Sequence, residues 1–354
     1  MRDPVTLLRP RALVPGDRVA VVAPSSRYDS RALARGMAVL ESWGLVAEPP
    51  AAGSRLRNLA GSDDERAAAL TEAFERDDVA AVMAVRGGYG AARLQGRFDA
   101  AVAASHPKIF LGYSDLSIVL GRLVSEAGLV CFHGPMVSSD LARLPVEALE
   151  PFRRFLFGEE GWWTGSGLTG RSPGSATGRL VGGCLSVIAT TIGTPYEIDT
   201  RGGVLFLEDI GEKPYKIDRL LTQLAHAGKL DEVRAVVLGT FHDCDTAGEP
   251  GVVMEVADEI LGSLGVPVLS GFDAGHYSGG GIVPMGCEVR VDADAGTIDL
   301  LEPVFAGAAI PRGAAETSPG REAAAIPGSA GAATAGSAGA TTPGSADASG
   351  RAAR

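Results

Sequence analysis

The sequence predicts an α/β protein in two parts, a helix-flanked parallel sheet and then an α/β region with mixed strands, ending in a disordered tail. Three observations carry this. Short apolar runs alternate with amphipathic stretches along most of the 354 residues, the pattern of strands buried on both faces and joined by helical crossovers. The alternation breaks between about residues 144 and 178, in a stretch rich in Gly, Ser and Thr. From about residue 305 the composition shifts to Ala, Gly, Ser, Thr and Pro in near-repeats such as PGSAGAATAGSAGATTPGSADASG, which hold too little apolar surface to offset the entropy of ordering.

The first strand is VAVVAP (19–24), followed by helices near 31–43 and 63–76 and the strand VAAVMAV (79–85). KIFLGY (108–113), a helix over 115–127 and LVCFHGP (129–135) complete a Rossmann-like parallel-sheet domain, residues 1–144. Residues 145–177, a helix at 146–157 and then GEEGWWTGSGLTGRSPGSATG, have the composition of an interdomain linker. The second domain, 178–304, has a helix at 185–191, strands at 203–209, 235–241 and 266–272, and helices at 215–226 and 252–264 between them. CEVRVDADAGTIDLLE (287–302) alternates like a closing hairpin that turns at 294–296. Residues 305–354 are the tail.

Composition narrows the function. With 32 basic and 43 acidic residues the formal charge is −11, which repels a phosphate backbone, so nucleic acid is not an expected partner. No apolar run approaches the ~20 residues of a membrane span, and MRDPVTLLRPRALVPGDRV lacks the apolar core of a secretory signal. A soluble, cytoplasmic protein is expected. Cys131, Cys184, Cys244 and Cys287 are scattered and form no C-x-x-C, so neither a zinc site nor a disulfide framework is expected.

Three places carry chemistry. In GYSDLS, Ser114 stands where a strand ends and a helix begins, lifted on a tight turn beside free helix N–H groups. The Asp115 amide there suits an oxyanion, although the same position suits a plain helix N-cap, and Leu116 stands where the full G-x-S-x-G elbow has its last glycine. Arg86-Gly87-Gly88-Tyr89-Gly90 follows the strand 79–85, at the sheet edge where α/β proteins bind ligands, and paired glycines let backbone amides approach a ligand. Its spacing is not that of a dinucleotide loop. Glu208 and Asp209 end the strand 203–209 and Glu212 follows; carboxylates there orient a histidine or cap the next helix. His276, on the glycine-rich loop FDAGHYSGG, is the best-placed base of the five histidines, while His133 and His242 follow strands as possible supporting groups.

In order along residues 10–304, VAVVAPSS, RGGYGAARL, GYSDLS with FHGPM, GRLVGGCLSVIATTIGTPYEID, LEDIGEKPYKIDRLLTQL and GHYSGG resemble the LD-carboxypeptidase family of serine peptidases. That family includes muramoyltetrapeptide carboxypeptidases and microcin C immunity peptidases. The resemblance implies a Ser-Glu-His triad falling on Ser114, Glu208 and His276, without metal or organic cofactor, in a homodimer. It selects Glu208 over Asp209 and Glu212, which the residues alone do not separate. It also implies a small peptide substrate, a murein tetrapeptide losing its C-terminal D-alanine, or alternatively a peptide or aminoacyl nucleotide conjugate. Backbone amides of Asp115, Gly87 and Gly88 would hold the oxyanion. Arg86, Tyr113 and Cys184 are candidate substrate-facing residues; Cys184 stands where the family often has Asn. The alternative from another class is a non-catalytic α/β binding protein in which Ser114 only caps its helix.

Overall fold

Runs of Val, Ala, Ile and Leu build the first sheet: β1 (Arg18–Val22), β2 (Val46–Glu48), β3 (Val79–Ala84), β4 (Ile109–Leu111) and β5 (Cys131–His133). In the computed structural model, which describes residues 7–51, 53–54, 56–159, 165–277 and 279–310, these five strands lie parallel in the order β5-β4-β3-β1-β2. β3, at the centre, is buried at every residue, as a strand covered on both faces must be. Helices α1 (Ser30–Ser42), α2 (Asp63–Glu75), α3 (Val102–Ser105) and α4 (Ser117–Ala127) follow these strands. Asp29 caps α1 by accepting from Ala32 N at 2.7 Å, and Ser62 with Glu65 forms a reciprocal capping box on α2. The order reverses between β1 and β3, so the loops after those strands flank the crevice where such sheets take ligands.

The second sheet has seven strands: β6 (Thr169–Ser172), β7 (Ser175–Cys184), β8 (Gly203–Ile210), β9 (Ala235–His242), β10 (Val268–Ser270), and, after β11 (Val283–Met285), β12 (Glu288–Asp292) and β13 (Thr297–Leu300). Its order is β13-β12-β7-β8-β9-β10-β6. β7 to β10 are parallel, while β6, β12 and β13 pair antiparallel at the flanks. The strands are accompanied by α6 (Leu185–Ala189), α7 (Pro214–His226) and α8 (Val252–Leu261). The mixed α/β architecture is therefore as the sequence predicts, and the hairpin expected at 287–302 is β12 and β13.

Three features depart from the expectations. The segment 145–177, linker-like in composition, carries the expected helix as α5 (Val146–Leu156), but with Phe152, Phe155 and Leu156 wholly buried, and then β6 and the start of β7. Its polar composition belongs to an edge strand with half-exposed residues, not to a bare connection. β11, unforeseen in the glycine-rich stretch, leaves the second sheet's sequence neighbourhood and adds antiparallel to β5, Val283 facing His133 and Met285 facing Cys131. Pro284 fits because β11 is an edge strand.

Finally, Phe305, which the composition shift puts at the head of the tail, is only 1% exposed and packs on Phe132 and Phe155 at ring distances of 5.6 and 5.4 Å. Ala306 N also donates to Pro10 O at 2.9 Å. The rest of the expected tail, 311–354, lies outside the described residues. Because Phe305 fills a closed aromatic cluster, Phe305→Ala should destabilise the fold by about 3–5 kcal/mol, measured by urea unfolding, whereas a residue of a loose tail would change nothing.

Candidate active site

Ser114 follows β4 with a backbone φ of +64°, a left-handed conformation that costs a non-glycine residue roughly 1–2 kcal/mol. It opens a short 3-10 turn, Ser114–Leu116, that leads into α4. It is not the helix cap: Leu116 holds the N-cap position of α4, and no side-chain cap hydrogen bond is made there. The Ser114 hydroxyl instead lies 3.0 Å from His276 Nε2. His276 Nδ1 lies 2.7 Å from Glu208 Oε2, and the same oxygen accepts the His276 backbone N–H at 3.0 Å. An ionised carboxylate only accepts, so Nδ1 carries the hydrogen and Nε2 presents a lone pair to the serine. The chain order Ser, Glu, His thus closes into one line of contacts.

Local structure sets each position. Glu208 and Asp209 are consecutive in β8, so they point to opposite sides. Glu208, wholly buried, meets His276. Asp209 turns to α6, accepting from Ser186 N at 2.7 Å, Ser186 Oγ at 3.1 Å and Ile210 N at 2.8 Å. Glu212 pairs with Lys216 at 2.8 Å. Of the three carboxylates the sequence leaves unresolved, only Glu208 reaches the imidazole. Gly275, at φ +114°, permits this approach, since a Cβ there would stand 2.6 Å from Glu208 Oε2. Thr240 Oγ1 donates to His276 O at 2.8 Å and fixes the loop.

The glycine loop after β3 closes on the serine. A Cβ at Gly87 would stand 2.9 Å from Ser114 Cβ, so only glycine lets that backbone lie against the hydroxyl. The amides of Gly87 and Gly88 donate to no group among the described residues, and Asp115 is second in the 3-10 turn, where N–H groups lack helical partners. The Asp115 carboxylate, overlooked in the sequence, accepts from Ser25 Oγ at 2.6 Å and Ala91 N at 2.7 Å. It thereby joins the loops after β1 and β3 to the turn that bears Ser114. Burial pushes its pKa up against those hydrogen bonds.

The substrate-facing candidates divide. Arg86 is exposed and has no hydrogen-bond or ion-pair partner among the described residues. Tyr113 and Cys184 are withdrawn. Tyr113 is 5% exposed, its phenol donates to Asp140 Oδ1 at 3.0 Å, and its ring stands edge-on to His276 at 4.9 Å. Cys184 is 3% exposed, with Sγ 3.5 Å from Asp209 Oδ1. The sequence gives no periodic sign of Asp140, which lies in a π-helical turn, Val137–Leu141, after FHGPM and also accepts from Met136 N at 2.9 Å.

Burial lowers the affinity of the His276 imidazole for a proton, but the hydrogen bond to Glu208 and the charges of Glu208, Asp209 and Asp140 more than offset it, so its pKa is raised above 6.5. His133 has no such hydrogen bond; desolvation, with the His276 charge adding, lowers it to about 3.

A Ser-His-Glu line set between two α/β sheets is the site of a hydrolytic serine enzyme or of a protein descended from one. The chain belongs to the LD-carboxypeptidase family: residues 19–134 match the LD-carboxypeptidase N-terminal domain and 177–291 the C-terminal domain. It is 40% identical over 310 residues to a probable murein peptide carboxypeptidase of Bacillus subtilis (strain 168), covering 85% of this chain and 96% of that one. It is similar to a muramoyltetrapeptide carboxypeptidase from Oxalobacter formigenes of solved structure (TM-score 0.70, 31% identity, 79% of this chain and 97% of that one). MccF in complex with glutamyl sulfamoyl guanosine superposes with a TM-score of 0.77 over 84% of this chain and 100% of that one; at 24% identity the likeness is one of fold.

In Glu208→Gln the hydrogen bond to the carboxylate and its charge are lost while desolvation stays, opposed by the charges of Asp209 and Asp140 alone, so the His276 pKa should fall from its raised native position. Titration of the histidine ring signals by NMR reads both, and an unchanged midpoint would remove Glu208 as the partner of His276.

Proposed function

We propose that the protein is a serine carboxypeptidase that hydrolyses an L,D-peptide bond, releasing the C-terminal D-alanine of murein tetrapeptides during cell-wall recycling. The supporting observation is His276 within 3.0 Å of Ser114 Oγ and 2.7 Å of Glu208 Oε2. Ser114 Oγ attacks the carbonyl of the L-centre while His276 Nε2 takes its proton, and Glu208 holds the imidazole tautomer and stabilises the imidazolium. The amides of Asp115, Gly87 and Gly88 hold the oxyanion. His276 returns the proton to the amine of the leaving D-alanine, then deprotonates the water that cleaves the acyl-enzyme. Arg86 is the cation for the substrate's terminal carboxylate, supported by its exposure and lack of a partner among the described residues. The family likeness extends the proposal to a homodimer in the cytoplasm.

The second substrate class is an aminoacyl nucleotide conjugate, favoured by the likeness to MccF with a sulfamoyl nucleotide bound. The near full-length match to a murein peptide carboxypeptidase favours the first.

Purified protein incubated with murein tetrapeptide should release D-alanine, detected by mass spectrometry, and Ser114→Ala should reduce the rate by at least about 10⁴-fold. Since only the neutral imidazole accepts the serine proton, kcat/KM should rise with pH through a midpoint above 6.5. Turnover of an aminoacyl sulfamoyl nucleotide but of no L,D-peptide would transfer the assignment to the second class. D-alanine release that persists in Ser114→Ala would remove the nucleophile.

A further inference from the structure

Buried polar side-chain atoms nearly always have a hydrogen-bond partner. Five lack one among the described residues: Arg66 Nε, Gln95 Oε1, His133 Nδ1, His133 Nε2 and Glu208 Oε1. Three of the five belong to one pair of side chains, and His133 Nε2 faces Glu208 Oε1 at 3.8 Å with both residues wholly buried. All the hydrogen bonding of Glu208 falls on Oε2, which receives both the ring and the backbone of His276. Its other oxygen carries a share of the charge with no donor among the described residues, which is unfavourable in a buried carboxylate.

His133 is built to supply that donor. It ends β5, where β11 pairs over it through Val283, and its ring is clasped between Tyr113 at 5.4 Å and Phe206 at 5.1 Å. Desolvation keeps it neutral at physiological pH. A neutral imidazole carries one N–H, and Nε2 is the nitrogen that faces the unpaired Glu208 Oε1 among the described residues.

We propose that His133 is a positioning residue: as the Nε2–H tautomer it donates to Glu208 Oε1, closing the 3.8 Å gap, and so fixes the carboxylate that orients His276. His133 therefore extends the line Ser114–His276–Glu208 by one member on the first sheet. Its role presupposes the nucleophile assignment of Ser114, but the bond to Glu208 does not.

Two measurements test it. In ¹⁵N-labelled wild-type protein, long-range ¹H–¹⁵N correlation of the histidine rings should show His133 as the Nε2–H tautomer at neutral pH; an Nδ1–H tautomer or a charged ring overturns the proposal, whether or not the protein cleaves any peptide. In parallel, the rate at which a fluorophosphonate labels Ser114 is compared among variants whose unfolding midpoints are recorded. His133→Phe, which keeps the ring packing and removes the donor, should slow labelling by about ten- to a hundred-fold, the range for a hydrogen bond to a charged group. His133→Gln, whose amide nitrogen falls near the Nε2 position, should recover most of the rate. Labelling of His133→Phe at the wild-type rate, or no recovery in a folded His133→Gln, overturns it. Absence of labelling at Ser114 in wild type would count against the nucleophile instead, and the tautomer then decides for His133 alone.

Discussion

Glu208 Oε2 receives two hydrogen bonds from a single residue, the ring and the main chain of His276. The double contact matters because a wholly buried carboxylate is expensive to desolvate and must be repaid by close, directed donors. A ring bond alone would leave the imidazole free to swing on its loop. With the backbone N–H bound to the same oxygen, ring and loop move together, and Nε2 is held where it meets Ser114. Gly275 is part of the same constraint, since any Cβ there would occupy the space of that oxygen.

The serine comes from one sheet and the other two groups from the second, so the geometry depends on how the sheets are joined. β11 supplies the join. It follows the His276 loop directly in sequence yet pairs with β5 of the first sheet, which ties the end of that loop to the strand beside β4. Gly286 N and Leu180 N then exchange hydrogen bonds between the β11–β12 turn and β7, from Gly286 N to Leu180 O and from Leu180 N to Cys287 O, each at 2.8 Å. The chain passes from sheet to sheet close to where Ser114, His276 and Glu208 meet.

Much of this was legible in the sequence, for identifiable reasons. Strands β3, β4, β8 and β10 are marked by apolar runs; the paired-glycine turn, Ser114 and His276 follow β3, β4 and β10, and Glu208 lies near the end of β8. What was not legible is what depends on contacts between distant residues. β11 is three residues long and contains a proline, so it has no strand signature of its own. The sequence predicts α5 as a helix, but β6, after it in the same segment, has a polar, half-exposed sequence without the apolar alternation of a strand. The residues alone leave Glu208, Asp209 and Glu212 unseparated; the family resemblance selects Glu208, and the physical reason, the alternation of β8, appears only in three dimensions. The role of the Asp115 carboxylate was hidden because its partners, Ser25 and Ala91, are 90 and 24 residues away.

Asp115 also shows how stability is set against the site. Its folded pKa is raised by burial, so the folded state holds the proton more tightly than the unfolded chain. The associated stability is fully present below the unfolded value of 3.8 and is lost as pH rises through the folded pKa. An ionised Asp115 near neutral pH therefore works against the fold. What it does there is to pin the Ser25 loop and the Gly87–Ala91 loop to the turn that bears Ser114, whose left-handed backbone is itself a strained state. Two unfavourable features in adjacent residues are retained at one turn, and the buried apolar side chains of β3 and β4 supply stability that offsets both.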